Sequence, residues 1–333
     1  MTYYFCLALI FALNTVCIHA ENKAKWGLIH NLTLPEVTLD EEAISKRVEL
    51  LKAAQVQQVR EGIYWSHFEE NKGVFQFEYI MHRLSYYDQT KVLGLFAYSN
   101  NLYTRNDKFY TYNDWRLLHR SAVALQKVIR KIPNINSYEI LNEMNSDQYF
   151  QSDRDPIKTY KQLLGVLSRV LRLNSKNVVS GGLLLEGDFE AWLQMLTSKS
   201  AYDLYDVLAI HPYCYPKKLS EAKFNGKSFS DVIRLIRKLW RQNGLENKPI
   251  WITEIGWPHR DSVDDSERSW GWISTVDFCK RIDDLRDQKE LNKIDRVYIY
   301  AFEDDEWYQD GKNTLPFGLI DKKGISKGLN CIN

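Results

Sequence analysis

Charge of one sign is what this sequence has least of. Its 44 Lys and Arg face 43 Asp and Glu, a formal net charge of +1. So even a balance gives no bulk field to draw nucleic acid or an anionic membrane. Membrane-length apolar runs are missing as well. The first twenty residues, "MTYYFCLALIFALNTVCIHA", hold one apolar run from Tyr3 to Leu13, too short to span a bilayer as a helix. It suits the apolar part of a secretory signal, although no Lys or Arg precedes it. Residues 1–20 are therefore expected to be a signal peptide cleaved after Ala20, and the mature chain to be secreted (extracellular or periplasmic). No later segment reads as transmembrane.

Cysteine is scarce. Of five, Cys6 and Cys17 fall within the expected signal, leaving Cys214, Cys279 and Cys331. None stands in a CxxC or other metal-ligand spacing. A Cys279–Cys331 disulfide is compatible with the sequence but not required by it. The seven His form no HxH or HExxH pattern, so no zinc site is indicated. A GxSxG nucleophile turn is absent, and so is any nicotinamide, flavin or phosphate motif. No metal and no cofactor are expected.

What remains is a chain of globular composition, 44% hydrophobic and 26% charged, with no low-complexity linker, charge block or short repeat. Aromatics reach 13%, with 10 Trp and 20 Tyr, more than a core needs. Flat apolar faces with polar edges suit sugar rings, which points toward carbohydrate.

Apolar β-type runs recur along the chain. They are "WGLIH" (26–30), "GIYWSHF" (62–68), "KVLGLFAY" (91–98), "NSYEIL" (136–141), "NVVSGGLLL" (177–185), "DVLAIHPY" (206–213), "PIWITEIGW" (249–257) and "RVYIYAF" (296–302). Near-continuous apolar runs fit parallel strands covered on both sides. Between them lie amphipathic segments. Residues 40–56 open on a capping Asp40 and carry Ile44, Val48 and Leu51 on one face. Helical spacing also links Trp115, Leu118, Ala122, Leu125 and Ile129, then Phe229, Val232, Ile233, Ile236 and Trp240, and more loosely Ile273, Val276 and Ile282. Eight strands alternating with helices predict an α/β fold, a single (β/α)8 TIM barrel over residues 21–333. A doubly wound open sheet competes, but it wants a Gly-rich phosphate turn after an early strand, and Gly181-Gly182 lacks that spacing.

In such a barrel the chemistry sits where the strands end. The fourth run ends on Asn142-Glu143 and the seventh carries Glu254. A buried carboxylate without a partner is costly, so a strand that ends on one needs a reason. Two carboxylates facing each other across a barrel mouth can flank a glycosidic bond. One protonates the leaving oxygen while the other stabilises or traps the oxocarbenium-like centre.

The motifs "EILNEMN" and "ITEIGWP" resemble those of clan A glycoside hydrolases, the retaining group with a catalytic Glu at the ends of strands four and seven. Supporting similarity runs along nearly all of the mature chain: "VREGIYWSHFEENKGVFQFEYI", "AIHPY" and "PFGLIDKKGISKGL". Within the clan the chain is similar to family 39-type and family 5-type enzymes. The resemblance implies Glu143 as general acid/base and Glu254 as nucleophile. It implies that Asn142 bonds the sugar 2-hydroxyl, that Arg60 pairs with Glu254, and that Tyr213 bonds the same carboxylate. His211 would line the subsite, and Trp257 would offer its face to a sugar ring. His30, at the end of the first run, is a candidate for the pocket wall and equally for packing.

One departure stands out. Many clan members end strand eight on a Trp beneath the reactive sugar, whereas this run reads "YIYAFEDDEW". Tyr300, Phe302 or Trp307 must serve instead, or the platform is missing. Trp270 and Trp272 fit helix packing as well as a sugar platform, and Asp304 and Asp305 fit loop capping as well as substrate contact. The function expected is a secreted retaining β-glycoside hydrolase, endo-acting on an oligo- or polysaccharide. Its competitors are an exo-acting β-glycosidase and a barrel that binds carbohydrate without hydrolysing it.

Overall fold

The computed structural model describes residues 26–332 apart from 36, 38, 89, 105–114, 270 and 305–315. The expected signal peptide, Trp270, Asp305 and Trp307 lie outside the described residues. One parallel sheet organises the rest. Its strands are β1 (Trp26–Ile29), β2 (Gln58–Gly62), β3 (Lys91–Phe96), β4 (Ser137–Ile140), β5 (Asn177–Val179), β6 (Leu183–Leu184), β7 (Leu208–His211), β8 (Ile250–Ile255) and β9 (Arg296–Ile299). The order around the sheet is β5-β4-β3-β2-β1-β9-β8-β7-β6.

The two ends of that order, β5 and β6, are halves of the single run expected at 177–185. The sheet therefore closes on itself as an eight-staved barrel with one broken stave. At the break, Ser180 N–H donates to Val207 O at 2.9 Å, and the Ser180 hydroxyl accepts from Ala209 N at 2.9 Å. Gly181 and Gly182 follow because nothing larger fits. A Cβ on Gly181 would stand 2.6 Å from Ile140 O, and one on Gly182 2.1 Å from His211 Nε2.

Helices fill the crossovers: α1 (Glu41–Ala53), α2 (Glu78–Ser85), α3 (Trp115–Lys131), α4 (Pro156–Leu173), α5 (Phe189–Leu196), α6 (Phe229–Gln242) and α7 (Thr275–Leu291). Asp40 caps α1 by accepting from Ala43 N at 2.7 Å. A Ser228/Asp231 capping box starts α6, whose whole expected stripe is buried. The α3 stripe is rotated from the expected one: Leu118, Leu125 and Ile129 are buried, but Trp115 is 70% exposed. In α7, Ile282 is buried and Val276 exposed, while Ile273 precedes the helix. No helix among the described residues is long and apolar enough to cross a membrane. Cys279 and Cys331 form a disulfide that ties α7 to the closing turn at Leu329–Ile332.

One strand lies elsewhere than expected. The second apolar run, 62–68, holds only the last residue of β2 and then turns into a short helix at Trp65–Phe68. The strand itself reads "QVREG", with Val59 as its one large apolar residue, yet all five positions are buried. Hydrophobicity pointed downstream because this stave carries its polar groups inward for use.

Those groups sit in layers. Ile29, Leu93, Val179, Val207, Ala209, Trp251 and Tyr298 form an apolar cluster in the barrel's lower interior. Arg296 seals its lower end, 4.3 Å over the Trp251 ring and 2.7 Å from Gln58 Oε1. Above the cluster, toward the strands' C-terminal ends, the interior turns polar.

Candidate active site

The polar layer is built around Arg60, which projects inward from β2 and is 3% exposed. Its Nε and Nη2 donate to Glu139 Oε2 and Oε1 at 2.7 and 3.1 Å. Nη2 also donates to Asn142 Oδ1 at 2.8 Å, and Nη1 to Glu254 Oε2 at 2.8 Å. Burial works against its charged form, but the Glu139 and Glu254 carboxylates outweigh burial and raise its pKa above the ordinary arginine value. Glu139, fully buried on β4, shows the reverse balance. Burial would raise its pKa, but Arg60 and then His211 bring it below the ordinary carboxylate value.

His211, the last residue of β7, places Nδ1 3.0 Å from Glu143 Oε1 and Nε2 3.0 Å from Thr253 Oγ1. Burial works against its charged form, yet Glu254, Glu139 and Glu143 together raise it to about 9. At neutral pH it is an imidazolium. Sequence reasoning placed His211 on the subsite wall, but the ring is 0% exposed. It braces Glu143, and Gly182 leaves room for the ring.

Glu143 follows β4 after a sharp change of direction. Leu141 and Glu143 have φ of 69° and 42°, both in the left-handed region. For non-glycine residues each costs on the order of 1 kcal/mol or more, and survives only where neighbours dictate it. Here they do. Asn145 exchanges hydrogen bonds with the backbone of Leu184 at 2.8 and 3.0 Å, and Ser146 N donates to Glu143 O at 2.8 Å. The turn lifts the Glu143 carboxylate over the barrel mouth.

Glu254 sits across from it on β8, half-buried. Tyr213 donates its hydroxyl to Glu254 Oε1 at 2.7 Å, opposite Arg60 on the other oxygen. Burial and then the Glu254 charge push the Tyr213 phenol well above its usual value, so it remains a donor. Oxygens of Glu143 and Glu254 and a nitrogen of His211 all lie within 4.8 Å of one another. That cluster is near enough to share a cation. The Arg60 guanidinium on Glu254 and the His211 imidazolium on Glu143 already supply positive charge there, which disfavours a metal ion. Two carboxylates so close match the separation of about 5 Å used in retaining glycoside hydrolysis, rather than the ~6.5–9.5 Å of inverting sites.

Two groups of aromatic rings lie past the ends of the strands, one of them joined to Glu254 through Tyr213. Phe317 meets Tyr300, Tyr215 and Tyr213 at 5.4, 5.7 and 6.4 Å between centroids. Past β2, β3 and β4, Tyr98 lies 5.1 Å from Tyr64 and 6.1 Å from Tyr149. Of the residues expected to replace the strand-eight Trp, Tyr300 is half-buried in the first group. Phe302 is fully buried, 4.7 Å from the His30 ring.

One expected contact fails. Trp257 is 0% exposed, donates Nε1 to Lys217 O at 2.8 Å and meets Phe278 edge-on, so its face is not offered to a sugar. His30, the candidate for pocket wall or packing, places Nδ1 2.6 Å from Tyr87 Oη and its ring 4.7 Å from that of Phe302. Trp272 is buried beneath Arg260, and Asp304 caps the closing loop by accepting from Gly318 N and Lys327 Nζ at 2.8 and 2.6 Å. Glu139 and Thr253 went unremarked in the sequence. The signal was there: Glu139 is a charge inside an otherwise apolar strand, two residues from Leu141 and four from Glu143.

No family model and no curated protein matches the sequence. Solved structures do. A family 39 glycoside hydrolase from the gut symbiont Bacteroides cellulosilyticus WH2 aligns with a TM-score of 0.69 at 17% identity, over 93% of this chain and 62% of its own. A monomeric β-xylosidase from Caulobacter crescentus CB15 gives 0.67 at 16%, over 93% of this chain and 66% of its own. A GH5_18 protein from Bifidobacterium longum subsp. infantis gives 0.66 at 14%, over 93% and 77%. The chain thus spans under two thirds of the length of the first two. At these identities the likeness is one of fold. The fold is the (β/α)8 barrel that the alternating runs predict, and the families are those that the two Glu motifs resemble.

Proposed function

We propose that this barrel is a retaining β-glycoside hydrolase of clan A type, with Glu143 as acid/base and Glu254 as nucleophile. The observation that carries the reading is the approach of the two carboxylates to within 4.8 Å, each held by its own partner. Glu254 is held from both sides by Arg60 and Tyr213 and aims at one face of a bound ring. It attacks the anomeric carbon while Glu143 gives its proton to the departing oxygen. Glu143 then takes a proton from water, which releases the sugar from Glu254 with net retention. Asn142, its Oδ1 taken by Arg60, keeps its amide N–H groups to donate to the 2-hydroxyl. Tyr300 takes the place of the strand-eight Trp.

The substrate in this reading is an oligo- or polysaccharide cut within the chain. Two aromatic groups past the strand ends, Tyr213 with Tyr215, Tyr300 and Phe317, and Tyr98 with Tyr64 and Tyr149, support it, because each offers surfaces suited to sugars. Secretion is supported by the Cys279–Cys331 disulfide, a bond at home in an oxidising compartment. The test is turnover of a broad glycan panel by wild type, Glu143→Gln and Glu254→Gln. Loss of at least about a thousandfold in both folded variants is expected. Binding without turnover by the wild type would turn the reading into a carbohydrate-binding barrel. Products of a single sugar unit from chain ends would make it exo-acting.

A further inference from the structure

One fully buried charge in the barrel, on Glu139, has no place in the catalytic cycle just described. Glu139 is 0% exposed and lies below both carboxylates, where substrate does not reach. Its oxygens accept from Arg60 twice and from the Thr253 hydroxyl at 3.1 Å. The Thr253 hydrogen is thereby spent on Glu139. Its oxygen is then left to accept, and the donor facing it at 3.0 Å is His211 Nε2–H. The sequence of donors runs one way: His211 to Thr253 to Glu139.

We propose that Glu139 is a positioning residue for both catalytic carboxylates. Through Arg60 it orients the guanidinium that holds Glu254, and through Thr253 it fixes His211 with its hydrogen on Nε2. Nδ1 is then the ring atom that faces Glu143, the one whose proton changes as Glu143 alternates between acid and base. The inference rests on the glycosidase reading for the roles of Glu143 and Glu254, but not for the geometry of the relay. Charge counting agrees with it. Two buried cations, Arg60 and His211, meet three carboxylates: Glu139, Glu143 and Glu254. The other titratable groups that feel Glu139, Tyr160 and Tyr298, are phenols raised by burial and stay neutral.

Glu139→Gln keeps the shape and removes the charge, and the His211 ring reports the result by nitrogen NMR titration. The His211 signal is assigned by its absence in His211→Asn. The midpoint of His211 is expected to fall by about one pH unit or more in Glu139→Gln and to stay near wild type in Glu139→Asp. Both limbs of the kcat/KM profile are expected to move to lower pH in Glu139→Gln, because a lost negative charge makes neighbouring carboxyls more acidic. A filler role would lower stability and leave midpoint and limbs in place, and that result overturns the proposal. If Glu139→Gln does not fold, Thr253→Val carries the test: its neutral His211 should lose the Nε2–H preference seen in wild type. An unchanged tautomer in Thr253→Val also overturns the proposal. If the wild type cleaves no glycoside, the glycosidase reading fails while the titration still decides the role of Glu139.

Discussion

Tyr213 donates its hydroxyl to Glu254 Oε1 at 2.7 Å, on the oxygen that Arg60 leaves open. With the phenol pushed well above its ordinary value by burial and the Glu254 charge, Tyr213 keeps the proton that it donates. A hydrogen bond to a charged group is worth roughly 1.5–3 kcal/mol. Tyr213→Phe should therefore lose about ten- to a hundredfold in kcat/KM, with little change in melting temperature. A loss below threefold would mean that Arg60 alone orients Glu254.

Gly182 gives His211 its place. Any side chain there puts a Cβ 2.1 Å from Nε2, and the ring cannot retreat because Thr253 and Glu143 hold its other sides. Gly182→Ala is expected to displace the ring and to cut kcat by more than tenfold. Wild-type kcat in a folded Gly182→Ala protein would show that His211 is not needed where it stands.

A second buried carboxyl governs stability. Glu61, on the outer side of β2, accepts from the Tyr87 hydroxyl and from Thr33 N and Oγ1 at 3.1 and 3.0 Å. Burial overrides these bonds and raises it from 4.5 to about 7. The folded chain thus keeps a proton that the unfolded chain loses above pH 4.5. Stability from Glu61 is full below pH 4.5 and declines by about 1.4 kcal/mol per unit up to pH 7, roughly 3 kcal/mol in all. His30 next door works oppositely, because burial and then Arg47 lower it from 6.5 to about 3. Its neutral folded form adds stability as pH climbs from 3 to 6.5, so the two slopes offset in the wild type. Glu61→Gln separates them. Relative to wild type it should gain about 3 kcal/mol in denaturant unfolding between pH 4.5 and 7. A difference that stays constant with pH would contradict a protonated Glu61.

Much of the fold is legible in the sequence, and the exceptions have physical causes. The runs at 91–98, 136–141, 206–213, 249–257 and 296–302 hold β3, β4, β7, β8 and β9, because strands covered on both faces need apolar side chains. The second stave was missed where its interior is Gln58 and Arg60, polar groups serving the site. The fifth run broke in two because Gly181 and Gly182 admit a neighbouring carbonyl and the His211 ring, a tertiary demand that no local pattern carries. Asn142, Glu143, Arg60, Tyr213 and Glu254 came together as the motif resemblance implied. Trp257 did not join them: a residue two places past a strand end has no alternation left to say which way it points. His211 was found but put at the wrong depth, since strand position alone does not say whether a polar ring meets substrate or braces what does.

As the proposed nucleophile, Glu254 forms a covalent bond to sugar during turnover. The most direct test incubates the purified chain with a panel of activated 2-deoxy-2-fluoro glycosides, followed by intact mass and peptide mapping. A single adduct on Glu254 is expected with at least one sugar, absent in Glu254→Gln. Hydrolysis with inversion at the anomeric carbon, or an adduct on another residue, would contradict it.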